Sequence, residues 1–316
     1  MTGLSLVSTG FCLPEKVVTN ADLEKLVDTS DEWIVTRSGI RQRYYIEEGD
    51  RESTSTMAIA AARMAIERAG LSTEDIGCCV CGTVSEDYAC PNTSALVHEA
   101  LGLREDIPVM DVNAACSGFV YSTIAAKGML LETGNKYALV IGSESLTRHV
   151  DMTDRSTCVL FGDGAGAAIY KLTEDTPYAS ILGARGGREI LTPGSGTRDI
   201  RIKMDGRAVF RFAVEAIPRC IGTLLSKSGL SLDDISWVVL HQANERIIDH
   251  CIKKLNAPAE KFFINIDHMG NTSAASIPLA LSEMEGKGLF EQGQKLMIVS
   301  FGGGLTWAGA LITYGK

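Results

Sequence analysis

Leu71-Ser-Thr-Glu-Asp-Ile-Gly-Cys-Cys-Val-Cys-Gly82 and Leu230-Ser-Leu-Asp-Asp-Ile-Ser-Trp-Val-Val-Leu-His241 are two versions of one phrase. Ser72 pairs with Ser231, Asp75 with Asp234, Ile76 with Ile235 and Val80 with Val239, all at a constant offset of 159 (231 − 72). Each copy follows a stretch with helical spacing of apolar residues, Met57 to Ala69 and Val209 to Lys227. A basic residue and then Gly close both stretches, Arg68-Ala69-Gly70 and Lys227-Ser228-Gly229, as suits a helix C-terminus and a left-handed cap. A short polar connection then leads into a buried β-run, Cys78 to Cys81 or Trp237 to Leu240.

A second echo closes each half. Tyr137-Ala-Leu-Val-Ile-Gly is followed by Phe161-Gly-Asp-Gly-Ala-Gly and then by Ala167-Ala-Ile-Tyr170. Leu296-Met-Ile-Val-Ser runs directly into Phe301-Gly-Gly-Gly and then into Ala310-Leu-Ile-Thr-Tyr314. Strands that alternate with helices imply α/β layers. The expectation is two similar α/β halves, 1–172 and 173–316, packed as one body because no low-complexity linker separates them. The stretch from about Gly183 to Arg207, rich in Gly, Arg and Asp, reads as a surface excursion.

Composition narrows the function. The chain has 316 residues, 45% hydrophobic and 22% charged, with a net charge of −9. That balance argues against a nucleic-acid binder, whose affinity rests on Lys and Arg neutralising phosphates. No apolar run reaches the ~18 residues of a membrane span, and the first ten residues read as a strand and not as a signal peptide. The nine cysteines, an odd number set largely in apolar runs, favour free thiols and a cytoplasmic location. Cys78, Cys79 and Cys81 lack the spaced pairs of a zinc site, so no metal is expected.

Four segments carry chemistry. Cys116, in Asp111-Val-Asn-Ala-Ala-Cys-Ser-Gly, sits between a short β-run and a helical pattern, where unpaired N–H groups and the helix dipole favour the thiolate. A small buried hydrophobe is the competing reading. His241 ends a buried strand, the place where α/β folds put active sites, and it stands where the first repeat has Gly82. A lone His is more often a satisfied polar group. Asn271 follows Gly270 in a tight turn that opens a helix, where a cap or turn role is equally open. Phe301-Gly-Gly-Gly-Leu-Thr-Trp lets backbone N–H groups approach a ligand, or makes a sharp loop between strands. Neither this segment nor Gly162-Asp-Gly-Ala-Gly166 has the order of a dinucleotide fingerprint.

Together, Asn-Ala-Ala-Cys-Ser-Gly (113–118), His-Gln-Ala-Asn (241–244), Gly-Asn-Thr-Ser-Ala-Ala-Ser (270–276) and Phe-Gly-Gly-Gly-Leu-Thr-Trp (301–307) closely resemble the β-ketoacyl-acyl-carrier-protein synthase III family. The likeness runs through essentially the whole chain, including Thr29 to Arg41 and Thr153 to Thr157. It implies the thiolase-like fold, two pseudo-duplicated halves in αβαβα layers, and a homodimer. It implies decarboxylative Claisen condensation of an acyl-CoA with malonyl-acyl-carrier protein, with a catalytic triad of Cys116, His241 and Asn271 and an oxyanion hole of Cys116 and Gly303. Acyl-CoA is then a substrate and no cofactor is expected. Trp33, Arg37, Arg155 and Asn244 are implied as CoA contacts, with a purine stacked between Trp33 and Arg155. Thr29 to Glu32 reads as a capping box that fixes the helix of Trp33.

On the helix from Asn244 to Leu255, Arg246, His250 and Lys253 lie away from the apolar side. With Arg211 they are implied as the dock for the acidic carrier protein, a solvated face being the bland alternative. Cys90 stands before the proline of the loop 87–92, where many relatives have a bulky aromatic that limits the primer pocket of the neighbouring subunit. A smaller side chain there suggests a longer or branched primer, unless Tyr88 fills the space. A related condensing enzyme or acyltransferase of secondary metabolism shares these motifs. A non-catalytic subunit on the same fold would have lost the nucleophile.

Overall fold

The computed structural model describes residues 2–47, 52–191 and 201–315. Nine strands form the main sheet of the described residues: β1 (Gly3–Cys12), β2 (Ile76–Gly82), β3 (Val109–Val112), β4 (Tyr137–Glu144), β5 (Gly164–Thr173), β6 (Ala179–Ala184), β7 (Trp237–Leu240), β8 (Lys295–Gly302) and β9 (Thr306–Tyr314). The first half runs in the order β3-β2-β4-β5-β1, the second as β7-β8-β9-β6. β2 lies parallel to β4, which lies antiparallel to β5. β7, β8 and β9 repeat that pattern. Where β3 flanks β2, Phe262 makes a single parallel bridge to Val238 of β7. The halves join through a two-residue parallel contact, Ser5 with Thr313 and Leu6 with Tyr314.

The repeated phrase folds the same way twice. Ser72 and Asp75, and again Ser231 and Asp234, form reciprocal capping boxes on one-turn 3₁₀ helices that enter β2 and β7. The preceding helices are α2 (Thr54–Ala69) and α4 (Gly206–Ser228), each one turn longer at its start than the periodicity predicts. They end on Gly70 and Gly229 at φ +66° and +70°, a region that only Gly adopts without strain. The glycine echo of the second signal does not hold: Gly302 ends β8 and leads at once into β9, whereas residues 145–163 separate β4 from β5, and Phe161 bridges to Asn271. Within the expected surface excursion, Ile190–Leu191 pairs with Lys203–Met204, and 192–200 lie outside the described residues.

Five layers result. α2 covers one face of the first half-sheet. α3 (Gly118–Thr133) and α6 (Ser276–Gly286) fill the space between the half-sheets, with Phe119, Val120 and Leu130 of α3 and Ile277, Leu281 and Met284 of α6 buried. α4 and α5 (Glu245–Leu255) cover the far face. Each fully buried Leu or Ile contributes about 1.5–3 kcal/mol. The middle helices are apolar on most sides, as helices packed between two sheets have to be, with the last turn of α3 reaching solvent. A fourth cluster holds α1 (Asp31–Ser38) against the loops that follow β4.

Candidate active site

The C-terminal ends of β2, β4, β7 and β8 meet where α3 and α6 begin, and a cavity of about 930 Å³ opens there. Cys116, His241, Asn271, Ser273, Gly302 and Gly303 lie on its inner wall. Trp33, Arg37, Asn244, Arg207, Arg211 and Arg246 also line it. The size suits an extended small-molecule ligand.

Cys116 stands in a 3₁₀ turn, Ala115–Ser117, just ahead of α3. Ala115 takes φ +49°, which turns the chain sharply after β3 and presents the thiol to the cavity. The expectation that this position makes ionisation easy is overturned. Burial pushes the thiol up to about 12, and the hydrogen bonds from Ser273 and from the residue's own backbone only partly offset it. His241 is buried, and burial alone lowers its imidazole to about 3. The resting site therefore pairs a neutral thiol with a neutral imidazole near neutral pH.

The imidazole is held firmly. Its Nδ1 lies 2.7 Å from Ser276 Oγ, which also accepts the Gln242 N–H at 3.3 Å. Phe301 packs edge-on at 5.3 Å between ring centroids. Nε2 is thus the ring atom left for the cavity. Asn271 is oriented as strictly: its N–H donates to Leu160 O at 2.9 Å and its Oδ1 accepts the Ser273 N–H at 3.0 Å, so Nδ2 is the free donor. At Gly302, a Cβ would fall 2.8 Å from Cys116 N and 3.0 Å from Ser117 N. The absence of a side chain keeps the space beside those N–H groups open.

Around the mouth the predicted residues fare differently. Trp33 is capped by Ser30, not Thr29, so the expected capping box is shifted by one residue and its carboxylate return bond is not made. Arg37 and Arg155 both sit over the Trp33 ring, at 4.7 and 4.8 Å. Arg155 also donates to Asp28 O at 2.6 Å and does not line the cavity. A purine between Trp33 and Arg155 has to part a stacked pair. Asn244 spends its side chain on the α5 cap (Arg246 N–H, 2.9 Å) and on Arg37 O (2.9 Å). Arg211 and Arg246 are exposed at the rim, and Lys253 is exposed farther along α5. Cys90 and Tyr88 are exposed and lie outside this cavity. Among the described residues no cluster of metal-ligating side chains occurs.

Sequence reasoning missed Ser276, Ser273 and Glu144. Ser276 closes the motif 270–276 but looks like any helix-opening serine. Glu144 had a usable signal, a carboxylate ending a largely apolar strand, Tyr137 to Glu144.

Comparison with known proteins agrees with this architecture. The family 3-Oxoacyl-[acyl-carrier-protein (ACP)] synthase III matches residues 110–187, and its C-terminal counterpart matches residues 225–314. The β-ketoacyl-acyl-carrier-protein synthase III of Coxiella burnetii is 43% identical over 318 aligned positions, covering 99% of both chains. The crystal structure of 3-oxoacyl-acyl-carrier-protein synthase III from Aquifex aeolicus superposes with a TM-score of 0.91 at 42% identity, over 99% of this chain and 100% of that one. The priming β-ketosynthase of the R1128 polyketide pathway superposes at 0.92 with 31% identity, over 99% and 97%. With a thiolase-like fold, matching family segments and relatives alike from end to end, the chain belongs to the β-ketoacyl-acyl-carrier-protein synthase III family of condensing enzymes.

Proposed function

We propose that this protein starts fatty acid synthesis by joining an acyl-CoA primer to malonyl-acyl-carrier protein, with release of CoA and CO₂. The observation that carries this reading is the convergence of Cys116, His241 and Asn271 in one cavity beside the open N–H of Cys116. On this reading residues 1–172 supply the nucleophile and 173–316 the His and Asn.

Cys116 Sγ attacks the acyl-CoA carbonyl and CoA leaves as a thiolate, giving an acyl-enzyme. The N–H groups of Cys116 and Gly303 hold the tetrahedral oxyanion, each such donor supplying about 3 kcal/mol. Malonyl-carrier protein then replaces CoA. Loss of CO₂ itself generates the carbanion, so the site needs donors to the thioester oxygen more than it needs a strong base. Asn271 Nδ2 is free for that purpose, and the depressed basicity of His241 suits a neutral Nε2–H donor, with Ser276 donating to Nδ1. The carbanion attacks the acyl group and expels Cys116.

CoA would lie along Trp33, Arg37, Arg155 and Asn244 once Arg155 swings off the indole. The exposed Arg211, Arg246 and Lys253 suit an acidic carrier protein on a chain of net charge −9. The half-buried edge strand β3 suits pairing with a second copy, in which Cys90 would face the neighbour's primer. We place the enzyme in the cytoplasm, with no cofactor beyond its substrates. The close superposition on a polyketide priming ketosynthase favours one second reading, priming in secondary metabolism. The test is CO₂ release and β-ketoacyl product from malonyl-carrier protein with acetyl-CoA, hexanoyl-CoA and branched acyl-CoAs. Product from at least one primer is expected, and hexanoyl-CoA accepted beside acetyl-CoA would support the role of Cys90. No product with any of them overturns the proposal.

A further inference from the structure

A buried cation stands behind Asn271, and the reaction above does not use it. Arg43 is fully buried. It lies on the short strand Gln42–Tyr45, which pairs antiparallel with Lys16–Thr19 outside the main sheet. One end of its guanidinium donates to Val159 O at 2.7 Å. The other donates to Asn20 Oδ1 at 2.8 Å and to Val18 O at 3.3 Å. All three acceptors are neutral oxygens. The carboxylate nearest along these bonds, Asp31, is reached only through Asn20 Nδ2, at 2.7 Å. Burying a cation with no anion beside it is costly. An apolar side chain would fill the space without that cost, so what the guanidinium holds needs a reason.

Asn271 supplies one. Its N–H donates to Leu160 O at 2.9 Å and its carbonyl accepts the Gly162 N–H at 3.0 Å, so its backbone is bonded on both sides to the stretch 160–162. That stretch leans on the strand of Arg43. Val159 O takes the guanidinium, Cys158 O accepts from the Tyr45 hydroxyl at 3.0 Å, and the Asp163 N–H donates to Tyr44 O at 2.8 Å. The stem of Arg43 is wedged into the same contact. A Cβ on Gly270, the residue before Asn271, would fall 2.9 Å from Arg43 Cβ, and one on Gly162 would fall 3.1 Å from it. Because Asn271 Oδ1 is tied to the Ser273 N–H, the direction of Nδ2 follows from where this backbone is placed.

We propose that Arg43 is a positioning residue for Asn271: by holding the Val159 carbonyl and packing against Gly162 and Gly270, it sets where Asn271 Nδ2 points in the cavity. This rests on the reading that Asn271 donates to the thioester oxygen of malonyl-carrier protein. Cys116 stands in the turn before α3 and shares none of these bonds, so its acylation does not depend on Arg43. Lysine is no substitute, because one ammonium has no planar fork to span Val159 O and Asn20 Oδ1. A misplacement of about 1 Å at a reacting group is enough to cost about 10²-fold in rate.

The experiment separates the two stages of the reaction. Wild type, Arg43→Lys and Arg43→Met are loaded from acetyl-CoA and hexanoyl-CoA, and acyl-enzyme formation is followed by rapid-quench intact mass. The loaded enzymes are then mixed with malonyl-carrier protein and CO₂ release is timed. Loading within about twofold of wild type is expected in both variants, with condensation slower by about tenfold or more. In an Asn271→Ala background, Arg43→Lys should slow condensation by less than about twofold further, because the group it positions is gone. Condensation within about twofold of wild type, loading that falls in parallel with it, or full additivity with Asn271→Ala would overturn the proposal. Should Arg43→Met fail to fold, Arg43→Lys decides alone. If wild type itself releases no CO₂ with any primer, the functional reading fails, and this proposal falls with it.

Discussion

The two halves are best compared at their strand ends. β4 and β8 each run eight residues between a parallel and an antiparallel neighbour, and their last residues, Glu144 and Gly302, occupy the same place. β2 ends on Gly82 where β7 is followed by His241. The turns that face them also match at an offset of 158 (271 − 113): Asn113 with Asn271, Ala115 (φ +49°) with Ser273 (φ +48°), Cys116 with Ala274, Gly118 with Ser276. A Cβ on Gly82 would fall 2.5 Å from the Gly118 carbonyl carbon, so helix and strand touch there backbone to backbone. At the corresponding spot His241 and Ser276 share a hydrogen bond.

Each half therefore serves the other's turn. Glu144 of the first half reaches the Ala274 N–H, whereas Gly302 of the second leaves the space by Cys116 N empty. The geometry was duplicated; the chemistry lies in where the copies differ.

The largest expected effect comes from giving the second strand end a side chain, as the first has. Gly302→Ala would put a methyl 2.8 Å from Cys116 N, and a loss of about 10²–10³ in kcat/KM for condensation is expected. Near-normal activity would mean that this N–H does no catalytic work. Ser276→Ala, which makes the pair nearer to Gly82–Gly118, removes the support of Nδ1. A drop of about 1 kcal/mol, roughly fivefold in condensation rate, is expected, with acyl loading unaffected; loading that falls in parallel would point to general damage.

The smallest effect concerns a feature of one half only. His268 is bonded to Glu283 at 3.0 Å and Asp267 at 2.8 Å, which raises its imidazole above the ordinary 6.5. Because the folded value is raised, the contribution to stability is complete below 6.5 and is lost as pH climbs through the raised value. The urea midpoint should fall modestly between about pH 6 and pH 9, and His268→Gln should flatten that fall.

Much of this was legible in the chain. The repeated phrase fixed two α/β halves because Ser-x-x-Asp and a closing Gly act locally, wherever they occur. Cys116, His241 and Asn271 were legible as a set, though each alone had an ordinary reading. The match between 113–118 and 271–276 was not, because of the six positions only Asn113 and Asn271 are identical, and shared backbone conformation leaves little trace in side chains. The false echo of Phe161-Gly with Phe301-Gly arose because glycine-rich loops look alike whatever they connect. The protonation state of Cys116 was misread for a physical reason: the helix terminus is local and visible in sequence, whereas burial, the larger influence, is a property of the assembled layers.

The central claim is that Cys116 carries the acyl group. Wild type and Cys116→Ala should be incubated with acetyl-CoA and hexanoyl-CoA, weighed intact and then mapped as peptides. The account predicts one added acyl group in wild type, on the peptide that holds residue 116, and none in the variant. Equal labelling of both proteins, or label on a different residue, would contradict it.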